Sequence, residues 1–155
     1  MAKKLVIDSE KCTGCRICEM ACAVNHTGAV NPLRARIRIL KWEWEGRYVP
    51  SQCRQCASPA CQAACPVDAI YRDDILDRVM IDYDKCIGCR ACIDACPFGM
   101  IRFDPVDQQV IKCDLCGGNP QCVRFCDTKA IVYTDVPDPE TASLSSGHRD
   151  TAPAG

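Results

Sequence analysis

The sequence has little of what usually holds a protein of its size together. Phenylalanine, tryptophan and tyrosine supply only 6 % of the 155 residues, so the large rings that anchor an apolar core are scarce. No apolar run approaches the roughly 20 residues that cross a bilayer as a helix, which argues against direct membrane insertion. Met1–Asp8 contains Lys3 and Lys4, but no apolar segment separates them from the motif that opens at Cys12, so no signal peptide is read there. A reducing cytoplasm is the expected compartment, with export of the folded chain on a signal-bearing partner left open. Nucleophile elbow, phosphate-binding loop and Cys–His pair are all missing, and the chain is expected to catalyse no bond chemistry of its own.

What the sequence has instead is cysteine. The sixteen cysteines fall into four groups of four with none left over. They are Cys12, Cys15, Cys18, Cys22; Cys53, Cys56, Cys61, Cys65; Cys86, Cys89, Cys92, Cys96; and Cys113, Cys116, Cys122, Cys126. Each group opens Cys-x-x-Cys and closes Cys-x-x-x-Cys. The first and third match the bacterial ferredoxin run Cys-x-x-Cys-x-x-Cys-x-x-x-Cys, and the others lengthen only the gap before the third cysteine, where a loop absorbs insertions. Zinc and disulfides compete as explanations of so much cysteine. Neither has a use for three thiolates at two-residue gaps with a fourth three residues on, repeated four times, so the reading is four 4Fe-4S clusters.

In such a run three thiolates wrap one cluster from a loop, and the fourth, expected at the start of a short helix, ligates the other cluster of a pair. Pro66 and Pro97 follow the fourth cysteine in groups two and three as in that run. Ala23 and Asp127 stand there after Cys22 and Cys126, a departure expected to affect backbone shape more than ligation. The apo chain has a formal charge of −1, and each oxidised, thiolate-bound cluster adds about two negative charges. The resulting acidity speaks against a nucleic-acid partner.

Between groups two and three the chain reads as strand, turn and strand, from Pro66-Val67-Asp68-Ala69-Ile70-Tyr71 through Asp73 and Asp74 to Val79–Lys85. A two-cluster ferredoxin needs that hairpin between its halves, so groups two and three form an inner module. Short strands at Lys4–Asp8 and Ala130–Tyr133 flank groups one and four and would close an outer module. The fold class is α+β: two nested ferredoxin-like modules with short helices and β-hairpins around four clusters. Residues 1–22 with 113–134 form the outer module, 23–52 an inserted segment, 53–112 the inner module and 135–155 a tail. Crossed ligation then gives one cluster on Cys12, Cys15, Cys18 and Cys126 and a second on Cys113, Cys116, Cys122 and Cys22. A third falls on Cys53, Cys56, Cys61 and Cys96, and a fourth on Cys86, Cys89, Cys92 and Cys65. Pairing of one with two and three with four stays open, because Met100–Ile111 also reads as a hairpin.

Four such groups, the inner hairpin and the long segment between groups one and two make residues 1–134 resemble the four-cluster electron-transfer subunits of the dimethyl sulfoxide reductase B family. The chain is short for that family, and its brief link between groups three and four makes it similar to the small polyferredoxin subunits that accompany tungsten-dependent aldehyde oxidoreductases. The resemblance implies nested pairing. It also implies a relay between a catalytic molybdenum or tungsten pterin subunit, such as an aldehyde oxidoreductase, and a flavin subunit, quinone-linked subunit or soluble carrier. Some relatives replace one ligand and carry a three-iron cluster, whereas every ligand position here is cysteine. Full cysteine ligation leaves no iron open for Lewis-acid chemistry. A free soluble polyferredoxin is the competing reading, and a zinc-binding module the remote one.

In the inserted segment Arg34, Arg36 and Arg38 alternate with Ala35, Ile37 and Ile39, and Trp42 and Trp44 follow on the parity of the arginines. That pattern reads as a strand with a basic face, either a solvated edge or a partner-docking hairpin. Lys11, Lys85 and Lys112 each precede the first cysteine of a group, where a cation either raises a cluster potential or is a solvated surface lysine. His26 and His148 have no ligand-type company and receive no role. From Thr134 the composition turns to Pro, Asp, Ser, Thr and Gly, with Pro137, Pro139 and Pro153, a tail that is disordered or laid on a partner. If both ends of the cluster row are exposed, copies are able to associate end to end. With thiolate–iron bonds in place of a large core, removal of iron by a chelator should abolish the far-ultraviolet circular dichroism of the folded chain, and retention of that signal would contradict the reading.

Overall fold

The computed structural model describes residues 2–136; the tail from 137 onward, with its three prolines and His148, lies outside the described residues. In chain order the elements are β1 (Ala2–Ile7), α1 (Ile17–Thr27), β2 (Ile37–Trp42), β3 (Arg47–Gln52), α2 (Ala60–Ala63), β4 (Ile70–Asp73), β5 (Arg78–Ile81), α3 (Ala91–Ala95), β6 (Arg102–Asp104), β7 (Gln109–Ile111), α4 (Gln121–Arg124) and β8 (Ile131–Val136). Short helices and small antiparallel sheets of this kind agree with the expected α+β class.

The described strands form four two-stranded antiparallel sheets: β1 with β8, β2 with β3, β4 with β5 and β6 with β7. The first joins the two ends of the described chain, with Leu5 opposite Tyr133 and Ile7 opposite Ile131, and the Asp8 N–H extends the ladder to the Ala130 carbonyl at 2.8 Å. β8 runs through Val136, two residues into what the composition assigns to the tail. The expected hairpins at 70–81 and 102–111 are both present. α1 packs against α4, and α2 against α3.

Sheets of two strands and helices of four or five residues are not stable alone, and two small apolar clusters hold them. One combines Ile37 and Ile39 of β2 with Ala23, Ala35, Ile131 and the buried Cys18, Cys22 and Cys122. The other combines Ile70, Val79, Ile81, Ile101 and Val110 with Cys61 and Cys92. Cysteine is thus part of both cores rather than an ornament on them. Alternation works as read along β2, where Ile37 and Ile39 are buried and Arg38 between them is exposed. The strand starts later than the arginine pattern suggests, because Pro32–Arg34 form a 3-10 turn capped by the Asn31 side chain. It also stops at Trp42, and Trp44 sits in the Glu43–Glu45 turn.

The Cys-x-Gly-Cys loops of groups one and three need left-handed backbone, with φ of 71° at Gly14 and 70° at Gly88. Their surroundings differ: a Cβ at Gly14 would lie 2.5 Å from the Tyr48 ring of β3, whereas at Gly88 it would meet nothing within 4 Å. Gly88→Ala should therefore cost only the left-handed penalty of roughly 1–2 kcal/mol. Gly14→Ala should add a packing penalty of about 1–3 kcal/mol and displace Tyr48, a difference that denaturant unfolding of the two variants reads directly.

Candidate metal centres

All sixteen cysteines carry free thiols. Cys65, Cys86, Cys89 and Cys92 line one hollow, walled by Ile70 and Ile81. Cys53, Cys56, Cys61 and Cys96 line a second, with Pro59, Ile101 and Lys112. In each, three cysteines come from one motif and the fourth from another, the division of ligands that the bacterial ferredoxin run uses.

The other eight thiols gather in the same way. Burial pushes the Cys12 thiol up, the Gly14 N–H opposes it, and the charges of Cys15 and Cys126 add to the rise. Cys18 is pushed to about 12 by burial, then by Glu19, with Cys15 and Cys12 contributing. Cys122 is driven up by burial and then by Cys113, Cys22 and Cys116. Thiolates crowded in apolar surroundings repel one another, and a positively charged iron core relieves both the crowding and the desolvation.

The short helix of groups two to four begins near the third cysteine, and the fourth follows it, correcting the expectation that the fourth opens the helix: Cys61 is in α2 and Cys65 beyond it, Cys92 in α3 and Cys96 beyond, Cys122 in α4 and Cys126 beyond. Three residues on, Asp68, Gly99 and Lys129 all have positive φ, so the chain turns back over the fourth cysteine with or without a following proline. At Cys65 burial raises the thiol but is outweighed by the N–H groups of Val67, Ala69 and Ile70, with Ala69 N 3.2 Å from the sulfur. At Cys126 burial is outweighed in the same way by Ile131, the Thr128 hydroxyl, Ala130 and Lys129.

Cys22 differs. With Ala23 after it, α1 continues to Thr27, and this longer helix carries His26, one turn on, into contact with Cys22. Its Nδ1 lies 2.8 Å from the Cys22 carbonyl oxygen and 3.7 Å from the sulfur, and its Nε2 lies 3.0 Å from Asp114. Burial opposes charge on His26 but is outweighed by the bonds to Asp114 and Cys22, which raise it to about 10. His26 is thus a member of the site that motif reading assigned no role; the Cys22–His26 spacing of four on one helix was the available signal. The Arg36 N–H donates to the Cys22 sulfur at 3.2 Å, and Arg36 Nε is buried without a partner among the described residues, a donor suited to a sulfide.

Neighbouring sets also touch. Cys122 feels Cys18. Cys113, raised to about 12 by burial against the Leu115 N–H, feels Cys53 and Cys22. Cys92, raised to about 11 chiefly by burial, feels Cys61 as well as Cys86 and Cys89. Charge thus links Cys122 to Cys18, Cys113 to Cys53 and Cys92 to Cys61 across the motifs, and the two exposed cysteines are Cys15 and Cys89.

Of the arginines in the insertion, Arg34 binds Asp104 at 2.7 Å and Asp107 at 2.5 Å, and Arg36 binds Asp114 at 3.2 Å and the Lys112 carbonyl oxygen at 3.1 Å. Both fasten the insertion to the rest of the chain. Arg38 is exposed, Trp42 lies under the Arg47 guanidinium at 3.9 Å, and Trp44 is fully exposed. The three lysines also separate. Lys11 and Lys85 pair with Asp8 and Asp82 at the surface, as solvated lysines do, but Lys112 is buried.

Residues 44–136 match the family model of the 4Fe-4S dicluster domain, and residues 4–29 that of the 4Fe-4S binding domain. The polyferredoxin-like subunit of aliphatic sulfonate oxidoreductase from Pyrococcus furiosus is 41 % identical over 122 residues, 79 % of this chain and 70 % of that protein. The B subunit of tetrathionate reductase from Archaeoglobus fulgidus is 40 % identical over 111 residues, 72 % of this chain and 53 % of the relative. Among solved structures, the active site complex BamBC of benzoyl coenzyme A reductase with benzoyl-CoA is similar, with a TM-score of 0.52 at 26 % identity over 86 % of this chain and 79 % of that one.

Proposed function

This chain belongs to the 4Fe-4S dicluster domain family, and we propose that it works as a four-cluster electron wire fastened to a catalytic oxidoreductase subunit. Iron–sulfur electron transfer within oxidoreductase complexes is the function its domains and relatives share. The observation that carries the finer reading is the sharing of each hollow by cysteines of two motifs, and the sets it supports are proposed to lie in a row with Cys15 in the first and Cys89 in the last.

The proposed ligand sets are Cys12, Cys15, Cys18 and Cys126; Cys113, Cys116, Cys122 and Cys22; Cys53, Cys56, Cys61 and Cys96; and Cys86, Cys89, Cys92 and Cys65. The shared hollows and the thiol neighbours support them, and the pairing of β1 with β8 and the packing of α1 on α4 support nesting of the inner module within the outer. A 4Fe-4S cluster supplies one-electron chemistry. The chain's part is to space the thiolates, to donate N–H groups to sulfur at Cys22 and Cys65, and to leave Cys15 and Cys89 accessible. No catalytic residue is assigned. The proposed partner is a molybdenum or tungsten pterin subunit, with an aldehyde oxidoreductase as one form. A flavin, quinone-linked or soluble carrier meets the other end, and the cytoplasm is the proposed compartment. Arg38 and Trp44 are the exposed members of the proposed docking group, and Arg34, Arg36 and Trp42 support the hairpin that presents them.

Two measurements test this. Protein isolated anaerobically from its native host should carry iron together with molybdenum or tungsten on a co-purifying subunit; iron alone on a free chain would favour a diffusing polyferredoxin. The double variant Cys12→Ser, Cys126→Ser removes two ligands of one proposed cluster, so iron should fall by roughly a quarter. A fall of about a half would place the two cysteines on different clusters and reject the sets.

A further inference from the structure

Lys112 is only 3 % exposed. Its Nζ donates to the carbonyl oxygens of Val79 and, at 3.1 Å, Cys113. Both acceptors are main-chain carbonyls, and no carboxylate pairs with the ammonium among the described residues. Gln55, 2 % exposed, fixes the cradle by donating to the Cys113 carbonyl at 2.8 Å while accepting from the Val79 N–H at 2.7 Å. Asp114, the next acidic side chain along, is already engaged by His26 and Arg36.

This cation stands between two of the four sets. It lines the hollow of Cys53, Cys56, Cys61 and Cys96 and is bonded through the chain to Cys113. Burial dominates and raises the thiols of both Cys61 and Cys113, and on each of them the Lys112 charge acts in the opposite direction. Lys11 and Lys85 hold the same position relative to their motifs but lie in solvent beside a carboxylate, where water, salt and the partner charge cancel most of their field.

We propose that Lys112 raises the potentials of the two clusters it stands between, those held by the sets of Cys61 and Cys113, and so favours their reduction. The proposal rests on the ligand sets given above. Reduction adds a negative charge to a cluster, and a buried cation without a counter-carboxylate stabilises that charge far more than a surface lysine does. Lys112 acts as a positioning residue for charge and touches no reacting atom.

The test is redox potentiometry followed by electron paramagnetic resonance on the anaerobically purified protein with its full iron content. In Lys112→Gln and Lys112→Met two of the four clusters should become harder to reduce. At a fixed solution potential their reduced-to-oxidised ratio should fall about tenfold, equivalent to about 59 mV for one electron. Lys112→Arg should keep the wild-type values, and Lys85→Gln should change none. Unchanged potentials in iron-replete Lys112→Gln, or an equal fall in Lys112→Arg, would overturn the proposal. Loss of clusters from both neutral variants but not from Lys112→Arg would overturn it too, by assigning Lys112 to assembly of those clusters. A wild-type protein whose iron and spectra do not amount to four clusters would instead reject the ligand sets, independently of any variant.

Discussion

Thiolates repel, and this chain gathers sixteen cysteines into close groups, each of the four motifs placing at least one of them in the buried interior. Cys18, Cys113 and Cys122 are each pushed far above the ordinary range for a thiol, with burial as the largest cause. A fold arranged in this way is at odds with itself until a positively charged inorganic core sits among the sulfurs. The remaining architecture follows from that constraint: helices of four or five residues, sheets of two strands and apolar clusters that count cysteine among their members. None of these would be stable alone. Metal binding and folding are therefore expected to be coupled.

The polar contacts around the ligand loops are of a different kind. Gln55, Arg36, Arg78 and Lys112 reach main-chain carbonyls of Val79, Lys112, Cys113 and Asp114. Bonds to the backbone hold the ligand loops in place without adding further negative charge beside the sulfurs. Carboxylates are used as well: Asp104 and Asp107 hold Arg34 and clamp the insertion to the hairpin of β6 and β7, and Asp114, held by His26 and Arg36, sits beside the thiols of Cys113 and Cys116.

Ligand chemistry is legible in the sequence because ligation forces fixed short spacings, and the sixteen positions and both ferredoxin hairpins were visible in the pattern. Alternation showed the inward face of β2 for the same reason: a period of two survives any tertiary context. What stayed hidden depends on partners far along the chain. Arg34 and Arg36 look like a basic surface until Asp104, Asp107 and Asp114 are brought to them. Lys112 is indistinguishable from Lys11 and Lys85 by position, since only Gln55 and Val79 make it an interior residue. His26 stays hidden because the motif shows neither that α1 runs on past Cys22 nor that Asp114 is brought to its ring.

The pairing of β1 with β8 places Leu5 opposite Tyr133 and Ile7 opposite Ile131. In biosynthesis, β1 must therefore wait for β8, since Ile131 follows Ile7 by 124 residues. At about 5–20 residues per second that delay is on the order of ten seconds. Throughout it the first motif lacks the neighbours that bury it, and its thiols are open to oxidants and to stray metal ions.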